Sequence, residues 1–318
     1  MATLEVSGQE LTELLRAPLD SAIGDVVLVD GLPASTGPVP GLHPCLVIGR
    51  DGWASASADQ ASLVDVIVDH AGADEVLATA ALAPVASSAL ATLLRDAERR
   101  PTSAGLVAES AVYSTLLAGP EFAAWRRSTP VRPRPPGAGQ AVRLERSGDV
   151  LQVTLDRPEV RNALGVELRD DLLAALAVAQ ADPAVTVELR GSGPAFCSGG
   201  HLDEFGTAPD PATAHLVRLA RSIGAVLADL SDRTTAHLHG ACYGSGIELP
   251  AFCGHVVAAP DTRIALPELG LGLIPGAGGT VSLPRRIGRL RTAWLAFTRL
   301  PIDAGTALDW GLVDAVSV

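Results

Sequence analysis

A segment rich in proline and glycine, STPVRPRPPGAGQ at residues 128–140, limits what this chain can fold into. Proline lacks a backbone N–H and glycine is conformationally free, so the segment is expected to continue neither a helix nor a strand. Its arginines keep it solvated. The sequence therefore predicts an N-terminal region at 1–127, a linker at 128–140 and a larger core at 141–318.

The N-terminal region begins with short apolar runs rich in β-branched residues, a pattern typical of strands. These runs are DVVLVD, PCLVIG and LVDVIVD. Two helical stretches are predicted after them, at about 74–99 and 103–127. Residues 76–94 carry no charge and reach the length of a membrane span. Because this segment is rich in Ala, Ser and Thr and contains Pro84, a buried helix is favoured and no membrane partner is expected.

Beyond the linker, strand and helix patterns alternate, which indicates an α/β domain. VLQVTLDR predicts a strand, residues 166–180 a helix, and TVELRG another strand. Hydrophobic residues make up 47% of the chain and aromatic residues only 3%. The core is therefore expected to pack mainly from small aliphatic side chains.

The net charge limits the classes of ligand that this chain is expected to bind. A formal net charge of -12 argues against nucleic acid, which is bound by clustered basic residues. An anionic ligand must then be bound by individual arginines and backbone N–H groups at its own site. Lysine is absent, which excludes Schiff-base chemistry on a lysine. The four cysteines form no CxxC pair and the N-terminus lacks a signal-peptide pattern, so a reduced, cytoplasmic protein is expected.

Glycine-rich stretches in the core carry the most specific information. They are GSGPAFCSGGHLDEF, HGACYGSGIELP and IALPELGLGLIPGAGGT, with RPEVRNAL upstream. In order and spacing, over about residues 142–318, they resemble the crotonase (enoyl-CoA hydratase/isomerase) family. The resemblance implies a crotonase-like spiral of repeated ββα units, here with a smaller α/β and helical N-terminal region. It also implies proton-transfer chemistry on an acyl-CoA thioester.

Such chemistry passes through an enolate-like state, whose charge collects on the thioester oxygen and is stabilised by two preorganised N–H donors. Glycine-rich turns let backbone amides approach a ligand closely. The resemblance assigns the two donors to Gly200 and Ser245. Because Ser245 precedes an apolar helical stretch, its N–H is expected at a helix N-terminus. Ser245 replaces a common glycine of the family, and its side chain is expected inside the pocket.

Two carboxylates stand at the family's acid–base positions, Glu248 and Glu268. In the hydratases that this arrangement resembles, they hold one water, which the first helps to activate towards Cβ while the second delivers a proton to Cα. Retention of both favours hydration of an α,β-unsaturated acyl-CoA, or the reverse dehydration. Two alternatives remain open: isomerisation, decarboxylation or C–C bond chemistry on a CoA or carrier-protein thioester, and a non-catalytic CoA-binding scaffold.

Further residues are expected near the substrate through the same resemblance. His201 stands where many relatives carry Asp, and a hydrogen-bonded structural role is preferred for it over a substrate contact. Arg157 and Arg161 flank a strand end that approaches coenzyme A in relatives, so either could meet a phosphate, and surface solvation is an equal alternative. The complete predicted set is Ser198, Gly199, His201, Gly244, Arg157, Arg161, Pro275 and Gly276.

Other kinds of site are not supported by the sequence. GLGLIPGAGG lacks the spacing of a dinucleotide or P-loop motif, and YGSGI lacks the glycine that a nucleophile elbow needs at position 243. His237 and His239 alternate on an apolar run and are expected to be structural. No metal site is predicted, and no cofactor beyond the coenzyme A of the substrate.

The family's GLVDxV motif is followed by a helical segment that covers the acyl pocket and helps to build the oligomer. Here the match ends a few residues after GLVDAV, whereas helical patterns with similar Leu and Ala spacing lie at 74–127. We therefore expect residues 74–127 to supply the lid from a permuted position. By the same resemblance, a homo-oligomer (a trimer or hexamer) is expected.

Overall fold

A computed structural model describes residues 2–16, 25–34, 45–132 and 139–317 of the chain. The strands in these ranges are β1 (Thr3–Ser7), β2 (Val26–Asp30), β3 (Leu46–Gly49), β4 (Val66–Ile67), β5 (Val142–Ser147), β6 (Val150–Leu155), β7 (Thr186–Gly191), β8 (Thr234–Leu238), β9 (Ala241–Tyr243), β10 (His255–Ala258), β11 (Arg263–Ala265), β12 (Ile302–Asp303) and β13 (Ala315–Val316). The α-helices are α1 (Gly8–Arg16), α2 (Ala58–Ala61), α3 (His70–Leu82), α4 (Pro84–Leu94), α5 (Thr102–Leu117), α6 (Pro120–Ser128), α7 (Val166–Ala181), α8 (Pro211–Ala220), α9 (Ile223–Asp229), α10 (Ser245–Glu248), α11 (Gly279–Thr298) and α12 (Ala304–Trp310).

The N-terminal region contains a four-stranded parallel sheet in the order β1-β2-β3-β4. Alternate residues of β2 point to opposite faces, as strand geometry requires. Val27 and Val29 join a small cluster around Leu11 and Trp53, whereas Val26 and Leu28 join the main core. The three predicted strands are confirmed as β2, β3 and β4. The pairing of β1 and the helix α1 were not predicted.

The two predicted helical stretches, at about 74–99 and 103–127, are confirmed, and each is divided into two helices. The first stretch forms α3 and α4, which are bent by 116° where Ala83 meets Pro84. The second forms α5 and α6, which separate at Gly119 and Pro120. Proline suits the first turn of a helix but cannot continue a preceding one, so each proline starts a new helix.

No single described helix is long and apolar enough to cross a membrane, although α3 and α4 together pass the same test as a bent pair. Several of their side chains pack in the main hydrophobic core. That core includes residues of α3–α6 and of the strands beyond residue 141. Residues 133–138 of the predicted linker lie outside the described residues.

The core region contains a six-stranded sheet in the order β13-β10-β8-β7-β6-β5 and a three-stranded sheet in the order β12-β11-β9. In the larger sheet only the edge strand β5 pairs antiparallel to its neighbour. The predicted strand, helix and strand at its start are confirmed as β6, α7 and β7. The loop after β7 carries Gly200, the segment after β9 carries Ser245 and Glu248, and Glu268 follows β11.

Asn162 joins the loop after β6 to the loop after β7. The side chain is fully buried, and its Oδ1 accepts a hydrogen bond from the Arg157 N–H at 2.8 Å. Its Nδ2 lies 3.0 and 3.1 Å from the carbonyl oxygens of Ala195 and Phe196. The residue has a φ of 53°, a left-handed conformation in which Asn is enriched. Asn162 thus fixes the loop that leads to Gly200.

We expect Asn162→Ala to lower the free energy of unfolding by on the order of 3 kcal/mol, because it leaves buried backbone groups without partners. Urea unfolding monitored by circular dichroism measures this loss. Ser192→Ala is the matched control: the Ser192 hydroxyl is buried in the loop after β7 that Asn162 contacts, and it has no partner among the described residues. A loss in Asn162→Ala no greater than that of the control would contradict the role of Asn162.

Candidate active site

Two glycine turns meet at the site. Gly199 has a φ of 105°, and Gly244 has a φ of 50° and a ψ of -121°, conformations that side chains rarely adopt. A Cβ placed on Gly244 would lie 3.6 Å from the Cα of Gly199 and would overlap Glu268 Oε1. Only glycine at position 244 therefore lets the two turns and the Glu268 carboxyl come this close.

Neither the Gly200 N–H nor the Ser245 N–H donates to a protein acceptor within the described ranges. The backbone around Gly200 is nevertheless fixed. Leu164 N–H donates to the Gly199 carbonyl at 2.8 Å, and His201 N–H donates to the Leu164 carbonyl at 2.9 Å. The structure thus leaves the two predicted oxyanion donors available for a ligand, on turns that contact each other.

Ser245 is the first residue of α10, so its predicted place at a helix N-terminus is confirmed, whereas its side chain differs from expectation. The helix that it starts, α10, is a single turn of 4 residues, so its dipole is small compared with that of a long helix. The side chain does not occupy the pocket: it is buried, and its Oγ lies 3.6 Å from Cys197 Sγ. The hydroxyl can satisfy its hydrogen-bonding capacity with the thiol behind the turn.

Glu248 is 2% exposed and is held by the turn that precedes α11. Its Oε2 accepts hydrogen bonds from the N–H groups of Ala277 at 2.8 Å and Gly279 at 2.9 Å. Burial raises the pKa of Glu248 to about 7, although these N–H donors favour the ionised form and hold the pKa down. The carboxyl can therefore exchange a proton near neutral pH.

Glu268 is 9% exposed and lies in a different environment. Its Oε2 is buried without a hydrogen-bond partner among the described residues. Burial raises the pKa of Glu268 well above its usual range, and the charges of Glu248 and Glu109 raise it further. The backbone N–H of Glu268 itself favours the ionised form, whereas the Glu248 carboxyl accepts hydrogen bonds from the N–H groups of Ala277 and Gly279.

A third buried carboxylate, Glu109 of α5, was not predicted. It is 2% exposed, and its two oxygens accept hydrogen bonds from Gly278 N–H at 2.7 Å, Thr280 N–H at 2.8 Å and the Thr280 hydroxyl at 2.7 Å. Burial raises its pKa to about 8, with a contribution from the charge of Glu248. The only sequence signal was one Glu within an otherwise uncharged helical stretch, GLVAESAVYS.

The remaining loop residues of the predicted set lie around these turns. Ser198 N–H donates to the carbonyl of Arg161 at 3.0 Å, and the Arg161 side chain is exposed. Pro275 is buried. A Cβ on Gly276 would overlap the ring of Tyr113, which belongs to α5. The contact of Arg161 with a phosphate stays a prediction.

The structure does not leave Arg157 available for a phosphate. It is 7% exposed, its Nη2 lies 2.7 Å from Glu167 Oε1, and its Nη1 donates to the carbonyl of Gln140 at 2.9 Å. Through these contacts the Arg157 guanidinium joins the end of the linker to α7. Here the predicted substrate contact is replaced by an internal ion pair.

The three histidines from the sequence analysis, His201, His237 and His239, differ in their contacts. His201 precedes a short 3-10 helix, and its Nδ1 is buried without a partner among the described residues. His237 Nε2 pairs with Glu188, and His239 Nε2 lies 3.0 Å from the carbonyl of Gly193. In the part of the chain that the structure describes, no group of three or more His, Cys, Asp or Glu side chains could hold a metal ion.

The enoyl-CoA hydratase/isomerase family model matches residues 145–318, which contain both glycine turns, Glu248 and Glu268. This chain belongs to that family. The matched residues include the two sheets of the core region and exclude all of the N-terminal helices. Glu109 therefore comes from a part of the chain outside the match.

Curated relatives and solved structures agree with this assignment. The chain is 36% identical over 178 residues to the enoyl-CoA isomerase/hydratase fer4 of Mycosarcoma maydis, covering 53% of this chain and 65% of that protein. It is 34% identical over 174 residues to the 2,3-dehydroadipyl-CoA hydratase of Escherichia coli K12, covering 54% and 68%. The chain thus spans about two thirds of the length of these relatives, and slightly less for fer4.

Solved structures show the same fold in the core region. An enoyl-CoA hydratase from Thermoplasma volcanium superposes with a TM-score of 0.53 at 32% identity, covering 56% of this chain and 72% of that one. An enoyl-CoA hydratase from Bacillus anthracis gives 0.52 at 31% identity, covering 56% and 70%. The predicted crotonase-like α/β fold is confirmed.

The raised pKa values predict how stability depends on pH. The folded-state pKa values are about 8 for Glu109 and about 7 for Glu248, against 4.5 for an ordinary glutamate, so the folded chain binds more protons than the unfolded chain between these limits. Their contribution to stability is therefore present at low pH and is lost as the pH rises through about 7 to 8. We expect Glu109→Gln to show a shallower fall in the free energy of unfolding across this window.

Urea unfolding at a series of pH values measures the slope. Glu145→Gln is the control, because Glu145 is exposed on the edge strand β5 and should leave the slope unchanged. Equal slopes for Glu109→Gln and the unaltered chain would show that Glu109 does not take up a proton on folding.

Proposed function

We propose that this chain hydrates an α,β-unsaturated acyl-CoA, or catalyses the reverse dehydration, through an enolate held by Gly200 and Ser245. The observation that carries the proposal is the burial of Glu248 and Glu268 beside the two glycine turns. A buried pair of carboxyls next to unoccupied N–H donors can transfer protons at carbons adjacent to a thioester carbonyl. The family assignment and the names of the relatives support the same chemistry.

The different environments of the two carboxyls support a division of roles. Two N–H donors favour the ionised form of Glu248, which suits a group that accepts a proton from water as the water attacks Cβ. Burial raises the pKa of Glu268 well above its ordinary value and so favours its protonated form, which suits a group that donates a proton to Cα. In dehydration the same two groups act in the reverse sense.

The enolate oxygen would be stabilised by the N–H groups of Gly200 and Ser245. Loss of one such donor typically costs about 2.7–4 kcal/mol of transition-state stabilisation. The donors are already fixed by the backbone, so little reorganisation is needed when charge develops. We also propose that no cofactor is needed beyond the coenzyme A of the substrate, because carboxyl groups and amides supply the proton transfers and the charge stabilisation.

We propose further that helices α3–α6 act as the lid of the site. Tyr113 of α5 contacts the turn at Gly276, and Phe122 of α6 contacts Gly206 and Gly272. Arg126 Nη2 also donates to the carbonyl of Phe205, at 2.9 Å. These contacts cover the loops that carry the glycine turns and Glu268, so the N-terminal region supplies one wall of the site.

We expect Glu248→Gln and Glu268→Gln each to lower kcat/KM by about 10²-fold or more, because an amide cannot exchange the required proton. Loss of conjugated-enoyl absorbance with short- and medium-chain enoyl-CoAs measures hydration. The control is Glu145→Gln, which should retain full activity. Hydration that survives the double substitution would overturn the assigned roles.

Product analysis separates hydration from the alternatives. A product whose mass has gained one water supports hydration, whereas a product of unchanged mass with a shifted double bond supports isomerisation. No turnover of any enoyl-CoA, combined with tight binding of coenzyme A, supports the non-catalytic scaffold.

We expect residues 142–318 expressed alone to lack activity, because removal of α3–α6 exposes the apolar wall of the site and removes Glu109. Solubility and hydration activity of this fragment test the lid proposal. A soluble fragment with the activity of the full chain would remove its basis.

A further inference from the structure

A cavity of about 110 Å³ adjoins the candidate active site. One wall is the turn at Gly276 and Ala277, whose Ala277 N–H donates to Glu248. Another wall is Leu164, whose backbone pairs with the Gly199–His201 strand segment. The volume is several times what one water needs, so the cavity can admit a short chain of atoms. A ligand in this cavity would lie beside the turn that holds the Glu248 carboxyl.

The cavity combines an apolar wall with guanidinium groups. Leu106, Ile223 and Leu249 contribute apolar surface, whereas Arg218 and Arg221 contribute positive charge. The chain has a net charge of -12, and arginines nevertheless line a cavity large enough for a short acyl chain. A purely hydrocarbon ligand would gain nothing from them.

Arg218 is the best-positioned of these groups. It is half-buried on α8, and its guanidinium lies 4.8 Å from the ring centroid of Tyr113. Its Nε donates to the Ser110 hydroxyl at 3.2 Å, and its Nη2 donates to the Ser114 hydroxyl. Both serines and Tyr113 belong to α5, one of the helices proposed above to form the lid. Helix α5 therefore holds the Arg218 guanidinium in place.

Arg218 forms no ion pair in contact with a carboxylate among the residues that the structure describes, and Glu109 acts on its charge only from a distance. The ion pairs found there do not include Arg218, whose donors to protein are the two serine contacts. A guanidinium has five N–H groups, so three remain for a ligand. Burial lowers the pKa of Arg218, which reflects incomplete solvation of its charge. An anion with two oxygens would satisfy such a group best.

We propose that the cavity receives an acyl chain that ends in a carboxylate, which Arg218 binds and Arg221 attracts. This inference rests on the proposed function, because it assigns the substrate class of the same site. The apolar wall would contact the methylene groups between the reacting carbons and the terminal carboxylate.

Glu109 also lines the cavity and could repel such a ligand. Its oxygens, however, are occupied by donors from Gly278 and Thr280. Its raised pKa, about 8, keeps it largely protonated at neutral pH. The net effect at neutral pH is therefore attraction of a carboxylate by the arginines.

Binding of two saturated, unreactive ligands tests the proposal without requiring catalysis. Hexanoyl-CoA and its terminally carboxylated counterpart, adipoyl-CoA, are titrated into the full chain by calorimetry. We expect adipoyl-CoA to bind about 10- to 100-fold more tightly, as a charge-assisted hydrogen bond allows. Arg218→Gln should abolish this preference while changing the affinity for hexanoyl-CoA less than about twofold. Arg143→Gln, on the exposed edge strand β5, is the control and should keep the preference.

Equal affinity of the unaltered chain for the two ligands would overturn the proposal, whether or not Arg218→Gln folds. Equal weakening of both ligands by Arg218→Gln would also overturn it, because Arg218 would then bind the phosphates of coenzyme A. The two proposals fail separately: a preference for adipoyl-CoA without hydration of any enoyl-CoA would retain the carboxylate site and reject the hydratase.

Discussion

The candidate site depends on how one short turn, residues 275–280, is held by carboxylates. Glu248 accepts hydrogen bonds from the N–H groups of residues 277 and 279, and Glu109 accepts them from residues 278 and 280. Consecutive amides of the turn thus donate alternately to two buried carboxyls from distant parts of the chain. Such groups are costly to bury unless hydrogen-bonded, so the turn and the carboxyls fix each other's positions.

This arrangement connects the N-terminal region with the proposed proton-transfer site of the core region. The charge of Glu248 raises the pKa of Glu109, both charges raise the pKa of Glu268, and burial keeps the surrounding dielectric low. Helix α5 contributes Glu109, contacts the turn through Tyr113, and positions Arg218 through Ser110 and Ser114. One helix therefore influences the electrostatics of the proposed proton transfers and the shape of the adjoining cavity.

Glycine has a specific role where the two turns meet. At Gly244 both the left-handed backbone and the approach of Glu268 exclude a side chain. Asn162, in the loop before α7, fixes the approach to the other turn with side-chain hydrogen bonds. The proposed oxyanion donors are thus held by buried contacts that do not touch a ligand, which is how a preorganised site keeps its geometry.

The sequence by itself determined the family, the α/β alternation of the core and the positions of the glycine turns, because local motifs and periodicity carry that information. The sequence could not predict the angles between consecutive N-terminal helices, although Pro84 and Pro120 mark the positions of the breaks. Nor could it reveal that Arg157 pairs internally, that Ser245 faces Cys197, or that Glu109 reaches the turn before α11. These features depend on contacts between residues far apart along the chain, up to 171 positions for Glu109 and Thr280. Only tertiary packing decides which buried polar groups become partners.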